Sequence, residues 1–446
     1  MDDFQRWAAL AIFAAGFASF LVFEKYRHWG ALAAAALAVA LGVFTLAEAM
    51  LCVNWPIVVV FFTTLVAAEV FMLSGAAAVA AEAILARFKS PAAAILVLCA
   101  LTGFLSISIE NVACVLIAAP VALSLAKKLG MPPQRILVAC ALASNLQGCA
   151  LLVGDPPSML LAGEARLSFS QFIWLDGKPS IFWAVQAGAL VGLAFLWLVF
   201  RKHRGAVEIE REARLFGVMP TVYLAGLVLA IAIDTQLERG VGWGAAGGCA
   251  FFAALSFTWL AWKTRGRGAP DEDVEEAAIE HKMPSVRSYV RGLDWRTTLF
   301  IASVFVPVAA LAHHGWIERL SAGILAVSSG NLTAAFVILV ATAVLASAFV
   351  DNIPFLLVML PAVTTLAAGS GFAGKPIFLY FGLLLGASVG GNITPIGAQA
   401  NIAAVGLLRK HGSPVDLKSY LALSLPYTLL AVAVASLFTY LVYGPW

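Results

Sequence analysis

Residues 106–120 read Ser106-Ile-Ser-Ile-Glu110-Asn111-Val-Ala-Cys114-Val-Leu-Ile-Ala-Ala-Pro120, and residues 347–361 read Ser347-Ala-Phe-Val-Asp351-Asn352-Ile-Pro-Phe-Leu-Leu-Val-Met-Leu-Pro361. Each places an acid and an amide between two apolar runs that are short for a hydrocarbon core of ~30 Å. The register matches. A serine precedes the acid by four residues and a proline follows it by ten in both stretches, and the acids lie 241 residues apart in a chain of 446. The two stretches read as the tips of two hairpins that enter a membrane without crossing it.

The flanking sequence sets the class. The chain is 62% apolar and 12% charged, where soluble domains carry ~25% charged residues. Runs of ~20 apolar residues recur, each long enough to span a bilayer. The ~10-residue alternating segments of a membrane β-barrel are absent. An all-α polytopic membrane protein follows. The start, Met-Asp-Asp-Phe-Gln-Arg, lacks the basic region of a cleavable signal. The six cysteines lie in apolar segments without zinc-type spacing, so neither disulfides nor a metal centre are expected.

Spans are expected at 7–23, 30–51 and 55–73, followed by a short helix at 75–88. Half-length runs follow at 90–106 and 111–126, then a segment 136–162 broken at Gly148, Gly154 and Pro156-Pro157, then a span at 181–200. The second half repeats this order: 217–234, 240–262, 297–313, a short helix at 316–328, half-runs 332–346 and 353–368, a broken segment 376–408, and 420–443. Residues 1–214 and 215–446 thus form two repeats of about five spans, each with a re-entrant hairpin (90–126 and 332–368) and a broken helix. The charged piece 263–296, with Asp271-Glu272-Asp273, is read as a cytoplasmic loop.

Lysine and arginine orient the spans. Six segments (24–29, 87–90, 127–135, 201–216, 263–296 and 409–418) hold 22 of the 28, and the positive-inside bias makes them cytoplasmic. Arg87 and Lys89 precede the first hairpin and Lys127 and Lys128 follow it, so both its ends stay inside. The flanks of the second are poor in basic residues, so it enters from outside. Halves of opposite orientation make the inverted-repeat design of secondary transporters, here with both termini outside.

Four irregular segments carry the polar residues. The tips contribute Ser106, Glu110, Asn111, Ser347, Asp351 and Asn352. The breaks at 144–158 and 386–401 contribute Ser144, Asn145, Gly148, Asp155, Gly391, Asn392, Thr394 and Asn401. Irregular backbone at membrane depth persists only where it is buried in protein or lines a wet cavity. Broken helices there offer N–H groups to anions and carbonyls to cations. An ionised carboxylate at the bilayer centre costs ~2.5–3.5 kcal/mol. Glu110, Asp155, Asp351 and Glu69 all lie in apolar surroundings and are the candidates to hold a coupling ion or carry a proton. Glu110 and Asp351 could equally cap the half-helices that follow them. This polar set contains no lysine or arginine, which suits a cation, a proton or a neutral hydroxylated solute better than a polyanion.

At these residues the chain resembles the ion transporter superfamily. The arsenite-permease branch, the melanosomal P protein and NhaD-type antiporters are nearest, and the divalent anion/sodium symporters are further away. The likeness is carried by Glu110-Asn111 through Pro120, Ala143-Ser144-Asn145 through Gly154-Asp155-Pro156-Pro157, Asp351-Asn352-Ile353-Pro354, and Gly390-Gly391-Asn392 through Asn401. It implies a homodimer, with a scaffold part and a transport part that moves like an elevator. The symporters hold sodium and substrate with Ser-Asn-Thr tips. Here an acid replaces the serine in each tip, and Val112 and Ile353 replace the threonine. That departure speaks against a dicarboxylate.

The expected function is secondary active transport of a small inorganic solute, coupled to H+ or Na+, with arsenite-type efflux first. Na+/H+ antiport and sodium-coupled uptake of a dicarboxylate or other organic anion are the alternatives. Paired inverted halves argue against a channel. Burial favours the protonated form of a carboxyl, as proton exchange requires. Cys114 and Cys149 lie near enough to the site in sequence to contact a soft metalloid. An enzyme is not expected, and neither is a cofactor or a nucleic-acid partner. Without a Walker A motif, any ATP dependence would need a cytosolic ATPase partner. The expected location is the plasma (inner) membrane.

Overall fold

A computed structural model of the chain describes residues 2–23, 26–203, 213–238, 240–265, 274–279, 282–369 and 376–445. The first half contains α1 (Asp2–Val22), α2 (Arg27–Ala40), α3 (Leu46–Cys52), α4 (Trp55–Leu73) and α5 (Ala76–Leu85). It continues with α6 (Pro91–Ser106), α7 (Asn111–Leu129), α8 (Pro133–Gly148), α9 (Pro156–Ala165) and α10 (Ile181–Phe200). The second half contains α11 (Met219–Glu238), α12 (Trp243–Thr264), α13 (Val274–Ile279), α14 (Val286–Gly292), α15 (Trp295–His313) and α16 (Trp316–Val327). It ends with α17 (Leu332–Ser347), α18 (Asn352–Gly369), α19 (Ile377–Gly390), α20 (Gln399–Lys410) and α21 (Leu417–Tyr443). Seven helices among the described residues are long and apolar enough to cross a membrane. Large apolar side chains such as Phe104, Leu190, Phe251, Trp262 and Leu437 stand exposed on the outer surface, as lipid-facing helices require.

One expected span does not form. Residues 30–51 are divided, because α2 stops at Ala40 and Gly42 turns the chain at φ +71°. A new helix then starts at a capping box. Thr45 Oγ1 accepts from the Glu48 N–H at 3.2 Å, and Glu48 Oε2 accepts from the Thr45 N–H at 2.7 Å. Glu48 is therefore a helix-start residue. The acidic run Asp271-Glu272-Asp273 lies outside the described residues; α13 and α14 occupy the described parts of that loop, and α13 packs on α7.

The halves interlock by exchange. α2 of the first half packs on α15 of the second, α12 of the second packs on α4 of the first, and the last helices α10 and α21 pack together. Each hairpin's first arm packs on the first part of its own broken helix, α6 on α8 and α17 on α19. Beyond the break each helix also packs against the other half, α20 against α7 and α8, α9 against α18 and α19. Both breaks fold back tightly on themselves. A Cβ on Gly154 would collide with the carbonyls of Gly148 and Ser106, and one on Gly397 with those of Gly391 and Ala348. Only glycine permits that approach.

Candidate functional site

The two tips are built alike. At the first, Glu110 is the N-cap of α7, its Oε2 accepting from the N–H groups of Val112 (2.9 Å) and Ala113 (3.2 Å). At the second, Asp351 Oδ1 accepts from the Ile353 N–H at 3.0 Å. Ser106 Oγ donates to Asn111 Oδ1, and Ser347 Oγ to Asn352 Oδ1, across the same five-residue gap. Each tip is then tied to a broken helix. Ser144 Oγ donates to the Asn111 carbonyl at 3.2 Å, and Ser347 Oγ reaches the Ala387 carbonyl. Thr394 Oγ1 donates to the carbonyl of Ala348.

The breaks are joined to each other by amides. Asn145 Nδ2 donates to Asn392 Oδ1 (2.7 Å) and to Asn401 Oδ1 (3.0 Å). Asn392 returns a bond to the Leu142 carbonyl (3.2 Å), and Asn401 Nδ2 satisfies the carbonyls of Gly391 (3.0 Å) and Thr394 (3.2 Å). The hydroxyls of Tyr420 and Ser424 on α21 hold the carbonyls of Asn392 and Ile393 from behind. All three asparagines are nearly fully buried. Such a satisfied network fixes unwound backbone inside the protein.

Where both tips and both breaks converge lies a cavity of about 60 Å³. Glu110, Asn111, Asp351 and Asn352 reach it from the tips, Asn145 and Asp155 from the first break, and Ser388 and residues 397–400 from the second. The other candidates, Ser106, Ser144, Gly148, Ser347, Gly391, Asn392, Thr394 and Asn401, stand behind this lining and hold it in shape. Cys114 and Cys149 are buried outside the lining. Asp155 caps α9, its Oδ1 accepting from Ser158 N–H (3.0 Å) and Oγ (2.6 Å).

The expected absence of basic residues does not hold. Arg27, at the start of α2, forms an ion pair with Asp351, both side chains being under one-fifth exposed. Arg27 is itself held by Thr297 Oγ1 (3.2 Å) and lies over the Phe300 ring at 5.0 Å. Thr297 Oγ1 in turn donates to Asp294 and accepts from Gln399 Nε2 at 3.3 Å. Sequence reasoning placed Arg27 in a basic connecting segment, because nothing local signals a partner 324 residues away. Glu110 has no lysine or arginine partner among the described residues.

Glu69 is not in the central cavity. It lines a second, larger one of about 390 Å³, together with Glu110, Arg291, Asp294, Arg296 and Gln399. Glu110 and Gln399 are common to both cavities, so they form the partition between them. The larger space is bordered by α4, α7 and the start of α15.

A family model described as "Citrate transporter" (CitMHS) matches residues 17–386 and 277–446. The chain belongs to the CitMHS family. Its relatives include an "uncharacterized transporter" of Mycobacterium tuberculosis, 28% identical over 451 residues and 98% of each chain. Another from Synechocystis is 24% identical over 74% of this chain and 73% of its own. The mouse P protein is 22% identical over 77% of this chain and 48% of its own length, in keeping with the P-protein resemblance of the tips. The crystal structure of the Alcanivorax borkumensis YdaH transporter shares the fold of this CitMHS chain, with a TM-score of 0.53 at 19% identity over 86% of this chain and 84% of that one. The chain is therefore a multi-pass membrane transporter.

Proposed function

We propose that the protein is an ion-coupled secondary transporter that holds its solute between the two hairpin tips. One observation carries this reading: segments from opposite halves of the chain, interrupted in corresponding places, line one small cavity containing three carboxylates. The solute is small. A cavity of about 60 Å³ holds a few waters or a small inorganic species, since one water needs ~10–15 Å³ on this measure. Arsenite-type efflux is the first reading, with H+ or Na+ as coupling ion. Glu110 and Asp155 are the coupling acids, because Arg27 already neutralises Asp351. The larger cavity is the entrance from the cytoplasmic side, and Glu110 stands between it and the solute. Movement is elevator-like, with the hairpins and broken helices travelling against the remaining helices of a homodimer.

Sodium-coupled transport of an organic anion is the second reading, favoured by the family's description as citrate transporters. Purified protein in liposomes, tested with arsenite, sodium, lithium, succinate and citrate under an imposed pH gradient, separates the two. Arsenite-dependent proton flux supports the first, and sodium-dependent citrate or succinate uptake the second. Unitary conductance steps in planar bilayers would refute alternating access. The inverted topology has its own test. Lys127→Cys should label from the cytoplasm and Ser329→Cys from outside, and labelling of both from one side would refute it.

A further inference from the structure

The helices form two bodies. α1–α4, α11, α12, α14 and α15 pack on one another, and α6–α10 pack with α17–α21. Each body draws on both halves of the chain, and α5 and α16 lead from the first body into the second. Both tips and both breaks belong to the second body, so a movement of that body carries the central cavity with it. Two polar contacts cross the boundary beside this cavity. Arg27, on α2, pairs with Asp351 at the second tip. Thr297, in the first turn of α15, accepts from Gln399 Nε2 at the start of α20 at 3.3 Å. Arg27 Nη2 donates to Thr297 Oγ1 at 3.2 Å, so the two contacts form one strip. The strip holds the second tip and the second break, whereas Glu110 at the first tip lines the larger cavity.

Parting Arg27 from Asp351 is costly. Their side chains are 15% and 18% exposed, and a part-buried charge that loses its partner is strongly destabilising. Arg27 has a second acid at hand, on its own body. Asp294 caps α15 by accepting from the Thr297 N–H at 2.9 Å, and it also accepts from the Thr297 hydroxyl. That is the hydroxyl to which Arg27 donates, so one oxygen atom separates the guanidinium from Asp294. The Phe300 ring, also on α15, supports the guanidinium at 5.0 Å. Asp351, once released, keeps the Ile353 N–H at 3.0 Å and lines the polar central cavity. The arginine thus stands between two acids, one on each body.

We propose that Arg27 is a two-position latch. Paired with Asp351, it holds the second tip against the first body, which is the state described above. Turned to Asp294, it stays paired and frees the second tip, so that the bodies can slide. This rests on the reading that the hairpins and broken helices travel together, and it adds what restrains them. The guanidinium keeps a carboxylate in either position, so the balance between the two acids sets the population of each state. Removing one acid favours the position that uses the other. An ion pair that only stiffened the fold would give no such opposed pair of shifts.

Spin labels test it. Arg265→Cys at the end of α12 and Lys127→Cys near the end of α7 are exposed positions, one on each body. A Cys52→Ser background removes the one partly exposed native thiol. Pulsed EPR on the purified full chain then reads how the distance between the labels is distributed. The unaltered protein should give mainly the distance of this structure, with a second, minor one. Asp351→Asn should raise the ratio of second to first by about tenfold or more, since it removes the acid that holds the tip. Asp294→Asn should lower it by about threefold or more; asparagine still caps α15, so that variant keeps its helix start. In an Arg27→Met background both shifts should disappear. Should Arg27→Met not fold, the opposite signs of the two acid variants decide. Shifts of the same sign, shifts that persist without Arg27, or a second distance that ignores every substitution would overturn the latch. A single distance in every variant would defeat the moving-body reading together with it.

Discussion

The two hairpin tips have one backbone design and two electrostatic settings. At each, a serine bonds the asparagine that opens the second arm, and an acid caps that arm. At the second tip the acid faces Arg27, which α15 holds in place through Thr297 and Phe300. At the first, Glu110 faces two cavities and is in no ion pair among the described residues. Repetition supplies one geometry at both tips, and one arginine leaves Asp351 in an ion pair and Glu110 without one among the described residues.

The comparison can be broken by substitution. The largest effect belongs to Glu110→Gln, for which coupled flux should fall by about 100-fold or more, the protein remaining folded by gel filtration. Full activity would remove Glu110 from the coupling step. Next is Arg27→Met, which strands Asp351 half-buried and should lower stability by ~2–4 kcal/mol. Adding Asp351→Asn should recover much of that loss, whereas adding Glu110→Gln should recover none; thermal melts of the four combinations measure the coupling. Equal recovery by both would mean that the tips are electrostatically alike after all.

Smaller effects sharpen the shared part of the design. Gly154→Ala and Gly397→Ala should each cost ~1–3 kcal/mol through collision with carbonyls, and similar losses at the two sites would show that the breaks are structurally equivalent. A loss at only one would show that one break can relax. Thr297→Val removes a hydrogen-bond partner of Arg27 and should cost ~0.5–1.5 kcal/mol. It should leave the first tip's contribution unchanged, so a drop that vanishes in the Asp351→Asn background places it on the Arg27 side.

The tips were legible because their signal is local and occurs twice. Ser, acid, Asn and Pro recur at fixed spacing, and a carboxylate in an apolar run has few structural excuses. The breaks were legible because Gly and Pro interrupt runs that would otherwise stay helical. The placement of Glu69 in the larger cavity had no such signal. α4 is apolar all round, so periodicity assigns none of its faces to any cavity. The division of 30–51 was written as Thr45-x-x-Glu48, but the long alanine-rich run outweighed it.

Local chemistry therefore determined the class, the doubled order of elements, and which residues stand at helix interruptions, since each depends on neighbours within a few positions of chain. Tertiary structure alone decided which of them meet. It placed Arg27 on Asp351 and set Glu110 between two cavities, because those relations join residues hundreds of positions apart through packing that no local pattern records.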